Sequence, residues 1–440
     1  MRQLERFACF CRLPVFRPSG ARLDHRFAHP RLAPWATIFR PFGAGWPLLQ
    51  PVYTNLGIVL IVGFLIVFWM PKVAASAQSK AALHEPAEQH SQVRFCRALP
   101  GYRFAFPRDH FSHPCFQTEW WYFTGNLQTS TGRRFGFEMT FFREGVDNPY
   151  PNPSRWRVDE LYAAHFAISD LGKKSFFYTQ RLRRAGIELA GADPGRGKIW
   201  NGDWFAELRG QSWHLEASEG DQQIRLELHP KKPPVIQGKN GVSQKAAGEG
   251  NASHYYSLTR LETSGQLKVG GTSYDVTGWS WMDHEFSTNQ LQPNQVGWDW
   301  VSLQMEDGTE WMLYQFRLAG GGHDPYSSGS FVGQDGQAVQ LSAEDFQMEP
   351  LAEWKSPHSN ARYPIRWRVR VPRLGLDAEI EAAMPDQELL ANETTGVIYW
   401  EGSITARGQR NGKQIQGRGY LEMTGYAGQL PSLFTSPDQR

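Results

Sequence analysis

The sequence predicts an all-β fold of two antiparallel barrels with few, short helices. In the run 120–127, both sets of alternating positions begin with aromatic residues, as expected of a strand whose two faces are both packed. After a turn at 130–132, four large apolar side chains of 135–141 share one face, which completes a hairpin. Beyond residue 77, no window carries a long apolar stripe at helical spacing.

Further strands are indicated by short alternating runs along the chain. In the first half they are expected at 162–169, 176–181, 204–208, 213–217 and 223–229, and in the second half at 363–372, 376–382, 398–407 and 414–425. The segment 231–251 is rich in Pro, Gly, Lys and Gln and is expected to form a surface loop.

The second half repeats the pattern of the first. An aromatic strand at 298–305, a turn at 306–308 and a second strand ending in Phe316-Arg317 match the first hairpin, which ends in Phe142-Arg143. This likeness indicates an internal duplication, and a body of this length exceeds what one hydrophobic core supports. Because barrel closure removes exposed strand edges and leaves room for a small ligand, we expect one barrel in each half.

The predicted organisation has four parts, with a boundary near 270–280. These parts are a leader at 1–77, an N-terminal domain at 78–275, a C-terminal domain at 276–430 and a tail at 431–440.

The leader contains an uncharged apolar run at 56–70, which is short for a membrane span but suits a signal peptide. Ala75-Ser76-Ala77 fits signal-peptidase cleavage, so we expect an exported, periplasmic protein that starts near Gln78. The alternative is an uncleaved segment that anchors the protein to the inner membrane, with the arginine-rich side in the cytoplasm.

The charge distribution argues against a nucleic-acid partner. The first 77 residues hold nine basic and two acidic residues, whereas the remaining 363 hold 37 basic and 42 acidic residues. The body is therefore mildly acidic and lacks the basic surface that nucleic acids require.

Two cysteines remain in the body. Cys96 and Cys115 are expected to form a disulfide, because an exported protein lies in an oxidising compartment. The alternative is two separate thiols.

The strongest candidate for chemistry is Asp283-His284-Glu285, which follows Trp279 and Trp281 closely. These three residues are the candidate catalytic residues, because buried titratable groups require a partner or a function. Strand alternation, however, places both acids on one face and the histidine on the other.

An inert role is the alternative for this segment. The three side chains would then form a hydrogen-bonded network that holds one barrel against the other, with Arg143 or Arg317 as partner.

Other chemistries have little support. No His-Glu-x-x-His or Cys-x-x-Cys spacing occurs, so no metal site is expected. A Gly-x-Ser-x-Gly nucleophile elbow, a phosphate loop and a dinucleotide fingerprint are absent as well, and no cofactor is expected.

Several motifs together resemble the carotenoid 1,2-hydratase (hydroxyneurosporene synthase) family, which includes AttH-type exported proteins also described as predicted secreted hydrolases. The motifs are His113-Pro114, Thr118 to Leu127, Phe135-Gly136-Phe137, Trp281 to Phe286, Gly297 to Trp300, Tyr399 to Gly402 and Gly419 to Tyr426. The resemblance covers roughly 95–428 and implies two lipocalin-like (calycin) barrels in tandem. It also implies an ABC transporter as a possible partner.

Two functions follow from the resemblance and the aromatic strands. The first is binding of an apolar small molecule or lipid. The alternative is a hydratase that adds water to an alkene, with Asp283 as the acid and Trp279 and Trp281 as π faces that stabilise a cation. The expected ligand-binding residues are Glu119, Trp120, Trp121, Trp279, Trp281, Trp298, Asp299, Trp300 and Glu401. The alternative is a core position for the tryptophans, the hydrogen-bonded network between the barrels for Glu119 and Glu401, and a hydrogen bond at a turn for Asp299.

Overall fold

The computed structural model describes residues 95–147, 153–154, 156–186, 188–289 and 291–430. The predicted leader, with its apolar run and cleavage motif, and the tail lie outside these residues. Within the described ranges no helix is long and apolar enough to span a bilayer, and helix is limited to two 3₁₀ turns, Arg108–His110 and Pro372–Leu374.

The first sheet contains the strands β1 to β13. Their bounds are β1 Thr118–Gln128, β2 Arg134–Gly145, β3 Glu160–Asp170, β4 Ser175–Arg184, β5 Ala190–Asp193, β6 Lys198–Asn201, β7 Trp204–Arg209, β8 Ser212–Glu219, β9 Gln222–Pro230, β10 Val235–Ile236, β11 Ser243–Gln244, β12 Ala252–Val269 and β13 Thr272–Ser287. The order is β4-β3-β2-β1-β13-β12-β9-β8-β7-β6-β5, and β10 and β11 pair with β12. Because β6 returns to contact β2, β3 and β4, the sheet curls into a nearly closed barrel.

The second sheet contains the strands β14 to β23. Their bounds are β14 Gln295–Met305, β15 Glu310–Leu318, β16 Ser328–Val332, β17 Ala338–Ser342, β18 Gln347–Lys355, β19 Arg362–Val371, β20 Leu376–Ala382, β21 Glu388–Ala391, β22 Val397–Arg410 and β23 Lys413–Thr424. The order is β17-β16-β15-β14-β23-β22-β20-β19-β18, and β21 pairs with β22. The predicted fold of two antiparallel lipocalin-like barrels is confirmed.

Both sheets are built on one plan. In each, the first strand pairs with the second strand of its hairpin on one side and with the last strand of the sheet on the other, so β1 lies between β2 and β13, and β14 lies between β15 and β23. This shared order agrees with the internal duplication expected from the two aromatic hairpins.

The change from one sheet to the other lies later than predicted. Strand β13 pairs along its whole length with β12 and most of it with β1, so the first sheet continues to Ser287 and the second begins at Gln295. The predicted boundary at 275/276 would cut β13. The boundary lies after β13, because the Asp283-His284-Glu285 segment belongs to the last strand of the first barrel and not to the first strand of the second.

The alternation along β1 and β13 separates two packed regions. Trp121 and Phe123 belong to the core of the first barrel, whereas Tyr122 packs with Trp281 and Trp300 in an aromatic cluster between the two sheets. The outer face of β1 is therefore buried by the second sheet.

Polar contacts connect the two sheets around this cluster. Asn126 Nδ2 donates to the Gly419 carbonyl at 3.0 Å, and Ser169 Oγ donates to Gln387 Oε1 at 2.7 Å. Lys232 Nζ lies 2.7 Å from Glu310 Oε2 and pairs with it. These buried contacts fix the arrangement of the sheets because each would leave an unsatisfied polar group if it opened.

Cys96 and Cys115 form a disulfide, with a Cα–Cα distance of 5.3 Å and a separation of 19 residues. The bridge closes a loop that carries the Arg108–His110 turn along the first barrel. Replacing both cysteines by Ser should lower the free energy of unfolding by about 2–4 kcal/mol, because the unfolded chain loses a loop constraint. Urea unfolding of the variant and of the oxidised wild type measures this difference, and equal midpoints would contradict it.

Candidate functional site

A cavity lies between the two sheets, on the outer face of β1, β2 and β13. Its volume is about 100 Å³, several times the roughly 10–15 Å³ that one water needs. The lining is mainly aromatic, with a few charged and hydroxyl groups: Trp120, Tyr122, Glu138, Thr140, Phe142, His165, Lys245, Tyr255, Asp283, Glu285, Leu291, Trp298, Trp300, Tyr314, Phe316, Thr395, Val397, Tyr399, Glu422 and Thr424.

Asp283 occupies one wall of this cavity and accepts three hydrogen bonds. Tyr255 Oη donates to Oδ2 at 2.5 Å, while Ser257 Oγ at 2.5 Å and Trp281 Nε1 at 2.7 Å donate to Oδ1. Burial raises the pKa of Asp283 to about 7, although these donors oppose the shift. The carboxyl therefore exchanges a proton near neutral pH.

Glu138 lies on β2 and accepts from Thr140 Oγ1 at 2.7 Å and Tyr399 Oη at 3.3 Å. His165 Nδ1 lies 2.7 Å from the same tyrosine oxygen, and burial lowers the pKa of His165 to about 3, which keeps its ring neutral. Burial raises the pKa of Glu138 to about 7. Its Oε2 atom is buried without a hydrogen bond from the described residues.

The second sheet contributes Glu401 and Glu422, which are direct partners on β22 and β23 and so share one face. Tyr122 Oη donates to Glu401 at 2.6 Å, and Trp298 Nε1 donates to Glu422 Oε1 at 3.0 Å. Burial and the charge of Glu138 raise the pKa of Glu422 to about 8. Burial and the charge of Glu422 raise the pKa of Glu401 well above its usual range.

Lys245 is the cation of the cavity lining. Its Nζ lies 2.9 Å from Glu285 Oε1 and above the ring of Tyr314, 4.4 Å from the centroid. Burial alone would lower the pKa of Lys245, but the charge of Glu285 raises it overall. The Lys245 ammonium thus compensates the charge of its partner. Asp283, Glu138 and Glu422 are the lining carboxyls whose pKa values of about 7, 7 and 8 allow proton exchange near neutral pH.

The opposite face of β13 carries a second buried cluster, inside the first barrel. Glu119 Oε1 lies 2.7 Å from His113 Nδ1 and 2.8 Å from His284 Nε2, and Arg143 Nε donates to Glu119 Oε2 at 2.9 Å. Burial opposes ionisation of Glu119, but the Arg143 charge and the two imidazoles hold the pKa of this carboxyl well below its usual range. Arg143 also donates to the Phe116 carbonyl at 2.7 Å.

The structure divides the residues predicted from sequence between these places. The cavity lining includes Trp120, Asp283, Glu285, Trp298 and Trp300. Trp281 and Glu401 lie next to it, bonded to Asp283 and Tyr122 respectively. Glu119, Trp121 and His284 lie inside the first barrel, so the strand separates His284 from both acids, as alternation indicated.

Two further predicted residues lie elsewhere. Trp279, in the middle of β13, is 36% exposed, with the Arg260 guanidinium over its ring. Asp299 points away from the cavity and accepts from Gln315 at 3.0 Å and Tyr426 at 2.9 Å, besides pairing with Arg317.

Sequence reasoning missed several groups in the cavity. Lys245 comes from the segment expected to be a surface loop. Its burial is stabilised by Glu285 and Tyr314, which are distant in the sequence. Glu138 and His165 alternate with apolar residues on strands that were predicted. A signal was available there, because a charged residue on the second buried face of an aromatic strand is costly without a function.

The AttH-like family model matches residues 97–426, which spans both sheets. The chain belongs to the AttH-like family. The predicted resemblance to AttH-type proteins is thereby confirmed, while the carotenoid hydratase branch stays a prediction.

This AttH-like chain is similar to solved structures along its whole body. A "putative AttH" from Nitrosomonas europaea is 32% identical, with a TM-score of 0.68 and coverage of 76% of this chain and 100% of that one. Kievitone hydratase from Nectria haematococca is 15% identical, with a TM-score of 0.56 and coverage of 76% and 98%, a likeness that shows the fold alone.

A more distant sequence relative of the AttH-like chain is the dehydratase asqC of Emericella nidulans. It is 22% identical over 241 residues, which is 53% of this chain and 66% of the relative. The match therefore spans just under two thirds of that protein's length.

Proposed function

We propose that this AttH-like protein binds an apolar, unsaturated molecule in the cavity between the sheets and adds water to it or removes water from it. The observation that supports this proposal is the group of proton-exchanging carboxyls inside an aromatic cavity, with pKa values of about 7 for Asp283 and about 8 for Glu422. Between these two pKa values Asp283 is mostly ionised while Glu422 is mostly protonated, as acid–base catalysis requires.

Glu422 suits the acid role better than Asp283, the acid expected from sequence. One oxygen of Glu422 accepts from Trp298, and no hydrogen bond from the described residues reaches the other. Both oxygens of Asp283 accept hydrogen bonds, which favours its ionised form. Asp283 is therefore assigned as the base, with Tyr255 placed to pass its proton.

The proposed hydration has balanced steps. Glu422 gives its proton to one alkene carbon, and the neighbouring carbon becomes a cation that the faces of Trp298 and Trp300 stabilise. A water oxygen then bonds to this carbon while Asp283 takes a proton from the water. The product has gained one water, and the proton returns from Asp283 to Glu422; dehydration is the reverse sequence.

A sequence relative described as a dehydratase supports this proposal. Binding of an apolar ligand without turnover, as in a carrier, is the second candidate, and the aromatic lining favours it equally. Export, and cooperation with an ABC transporter, are proposed on the apolar run 56–70 and the family resemblance; N-terminal sequencing of the protein from fractionated cells tests the export.

The ligand class is tested by mass spectrometry of apolar molecules extracted from the purified native protein. With the molecule identified, Trp298→Ala should weaken its binding at least about 10-fold, or roughly 1.4 kcal/mol, because the residue lines the cavity. Trp156→Ala is the matched control, since this tryptophan is 78% exposed and lies outside the lining. Equal affinities for the two variants would overturn the assignment of the cavity.

Incubation of the protein and its ligand in ¹⁸O-labelled water distinguishes a hydro-lyase from a carrier. A hydro-lyase incorporates the label into the hydroxyl of the product, whereas a carrier returns its ligand unlabelled. Binding that survives without any label uptake would leave the carrier as the function.

A further inference from the structure

We propose that His113, Glu119 and His284 form a binding site for one divalent transition-metal ion, inside the first barrel and behind the cavity. One potential ligand atom from each residue lies within 4.8 Å of the others. Among the described residues, these three form the group of His, Cys, Asp or Glu side chains that are close enough together to hold a metal ion. Two imidazoles and a carboxylate suit Zn²⁺ and Co²⁺, whereas Mg²⁺ and Ca²⁺ take oxygen ligands. The site is separate from the proposed reaction and does not depend on it.

The hydrogen-bond partners of His284 leave its Nε2 atom free to bind a cation. Its Nδ1 lies 3.0 Å from the backbone carbonyl of Asp109, which only accepts, so Nδ1 carries the hydrogen of a neutral ring. The lone pair of Nε2 then points at Glu119 Oε1 from 2.8 Å. Two lone pairs at this distance repel each other unless a second proton or a metal ion lies between them.

His113 completes the arrangement from the other side of Glu119. Its Nδ1 lies 2.7 Å from the same Oε1 atom, so one carboxylate oxygen faces two imidazole nitrogens. Bonds of about 2.0–2.1 Å in a tetrahedral site place neighbouring ligand atoms about 3.3 Å apart. Each imidazole nitrogen therefore needs to move about half an ångström further from Glu119 Oε1 to admit the ion.

The outer contacts are those that orient metal ligands. Arg143 Nε and the backbone N–H of His113 donate to Glu119 Oε2 at 2.9 and 2.8 Å and turn Oε1 towards the imidazoles. The Nδ1–H of His284 donates to the Asp109 carbonyl, and His113 Nε2 lies 3.5 Å from Asp109 Oδ1. A backbone carbonyl and a carboxylate are the usual partners of histidines that bind metal.

The surroundings also favour a cation and give it a path. The carboxylates Asp109, Glu119 and Glu160 exceed the guanidinium groups Arg108 and Arg143 by one negative charge. His113 stacks on Phe286 and is 12% exposed at its side chain, in a surface depression beside the Cys96–Cys115 bridge. An ion can therefore reach the ligands from the surface without passing through the cavity.

The test is Co²⁺ titration of the chelator-treated full chain, followed by visible absorption, with Zn²⁺ uptake followed by calorimetry. The wild type should take up an ion that His113→Gln and His284→Gln each bind at least about 100-fold more weakly. His254→Gln is the matched control, because this buried histidine is bonded to the Gly241 carbonyl and is not a ligand. Zn²⁺ should also raise the Tm of the wild type, and Mg²⁺ should not.

Cysteines and histidines of the first 94 residues remain in all four proteins, so the difference between variants isolates this site. Circular dichroism checks that each variant is folded, and X-ray absorption of the Zn²⁺-loaded wild type gives a readout that needs no variant. Two imidazole ligands in that spectrum support the site. Equal uptake by all variants, no uptake by the wild type, or an ion bound by thiolates would overturn it and leave a shared proton between Glu119 and His284.

Discussion

Replacing Arg143 by Met should lower the free energy of unfolding by about 3–5 kcal/mol, because it removes one partner of a buried ion pair. The guanidinium is fully buried, pairs with Glu119 at 2.9 Å and Glu160 at 3.2 Å, and donates to the carbonyls of His113 and Phe116. Without it, Glu119 Oε2 keeps only a backbone donor. Urea denaturation of wild type and variant measures the loss.

Arg366→Met is the matched control, because this arginine pairs with Glu379 on the surface with both side chains nearly half exposed. Such pairs contribute about 0–1 kcal/mol. A double variant, Arg143→Met with Glu119→Gln, should recover part of the loss by removing the uncompensated charge. If Arg143→Met were no more destabilising than Arg366→Met, the buried network would not be what fixes the 96–117 segment to the barrel.

Glu422→Gln should lower the rate of water addition by about 10²–10⁴-fold, the usual contribution of a general acid. The amide keeps the size of the side chain and its contact with Trp298 but has no proton to give. Turnover of the extracted ligand, or label uptake from ¹⁸O water, provides the measurement. Glu393→Gln is the control, since Glu393 is exposed and lies outside the cavity lining.

The pH profile tests the same assignment independently. Activity needs ionised Asp283 and protonated Glu422, so it should rise with pH through about 7 and fall through about 8. In Glu422→Gln the residual rate should lose the alkaline fall and keep the acid rise. An unchanged alkaline limb would assign that proton to another group.

The fold could be predicted because its signals are local. Alternating aromatic residues and turn residues determine strands over a few residues. The predicted range 162–169 lies within β3, and the predicted range 414–425 differs from β23 by one residue at each end. The long strand β12 was not predicted. Its pairing register shifts between Leu258 and Leu261, and Gly265 adopts a φ of +147°. The alternation of apolar and polar residues that would indicate a strand is therefore interrupted in the middle of β12.

The site was harder to predict from the sequence, because its residues come from distant segments of the chain. Asp283, Glu285 and three tryptophans named from the sequence lie in the lining, and acids next to aromatic residues are what drew attention to them. Lys245 and Glu138 could not be placed, because their partners are 40 residues away or lie on the other sheet. The boundary at 275/276 failed for a related reason: a hairpin repeat shows where a unit begins but not which strand closes the previous one.

Strand β13 separates the cavity from the His113–Glu119–His284 cluster by the thickness of a single backbone. Deleting one residue between Trp279 and Asp283 would turn the following side chains over, sending Asp283 into the first barrel and His284 into the cavity. Both sites would be lost in one event, although neither substitutes for the other. Relatives that retain either site should therefore tolerate substitutions in this strand far better than changes in its length, even at positions such as Ser280 that contact neither ligand.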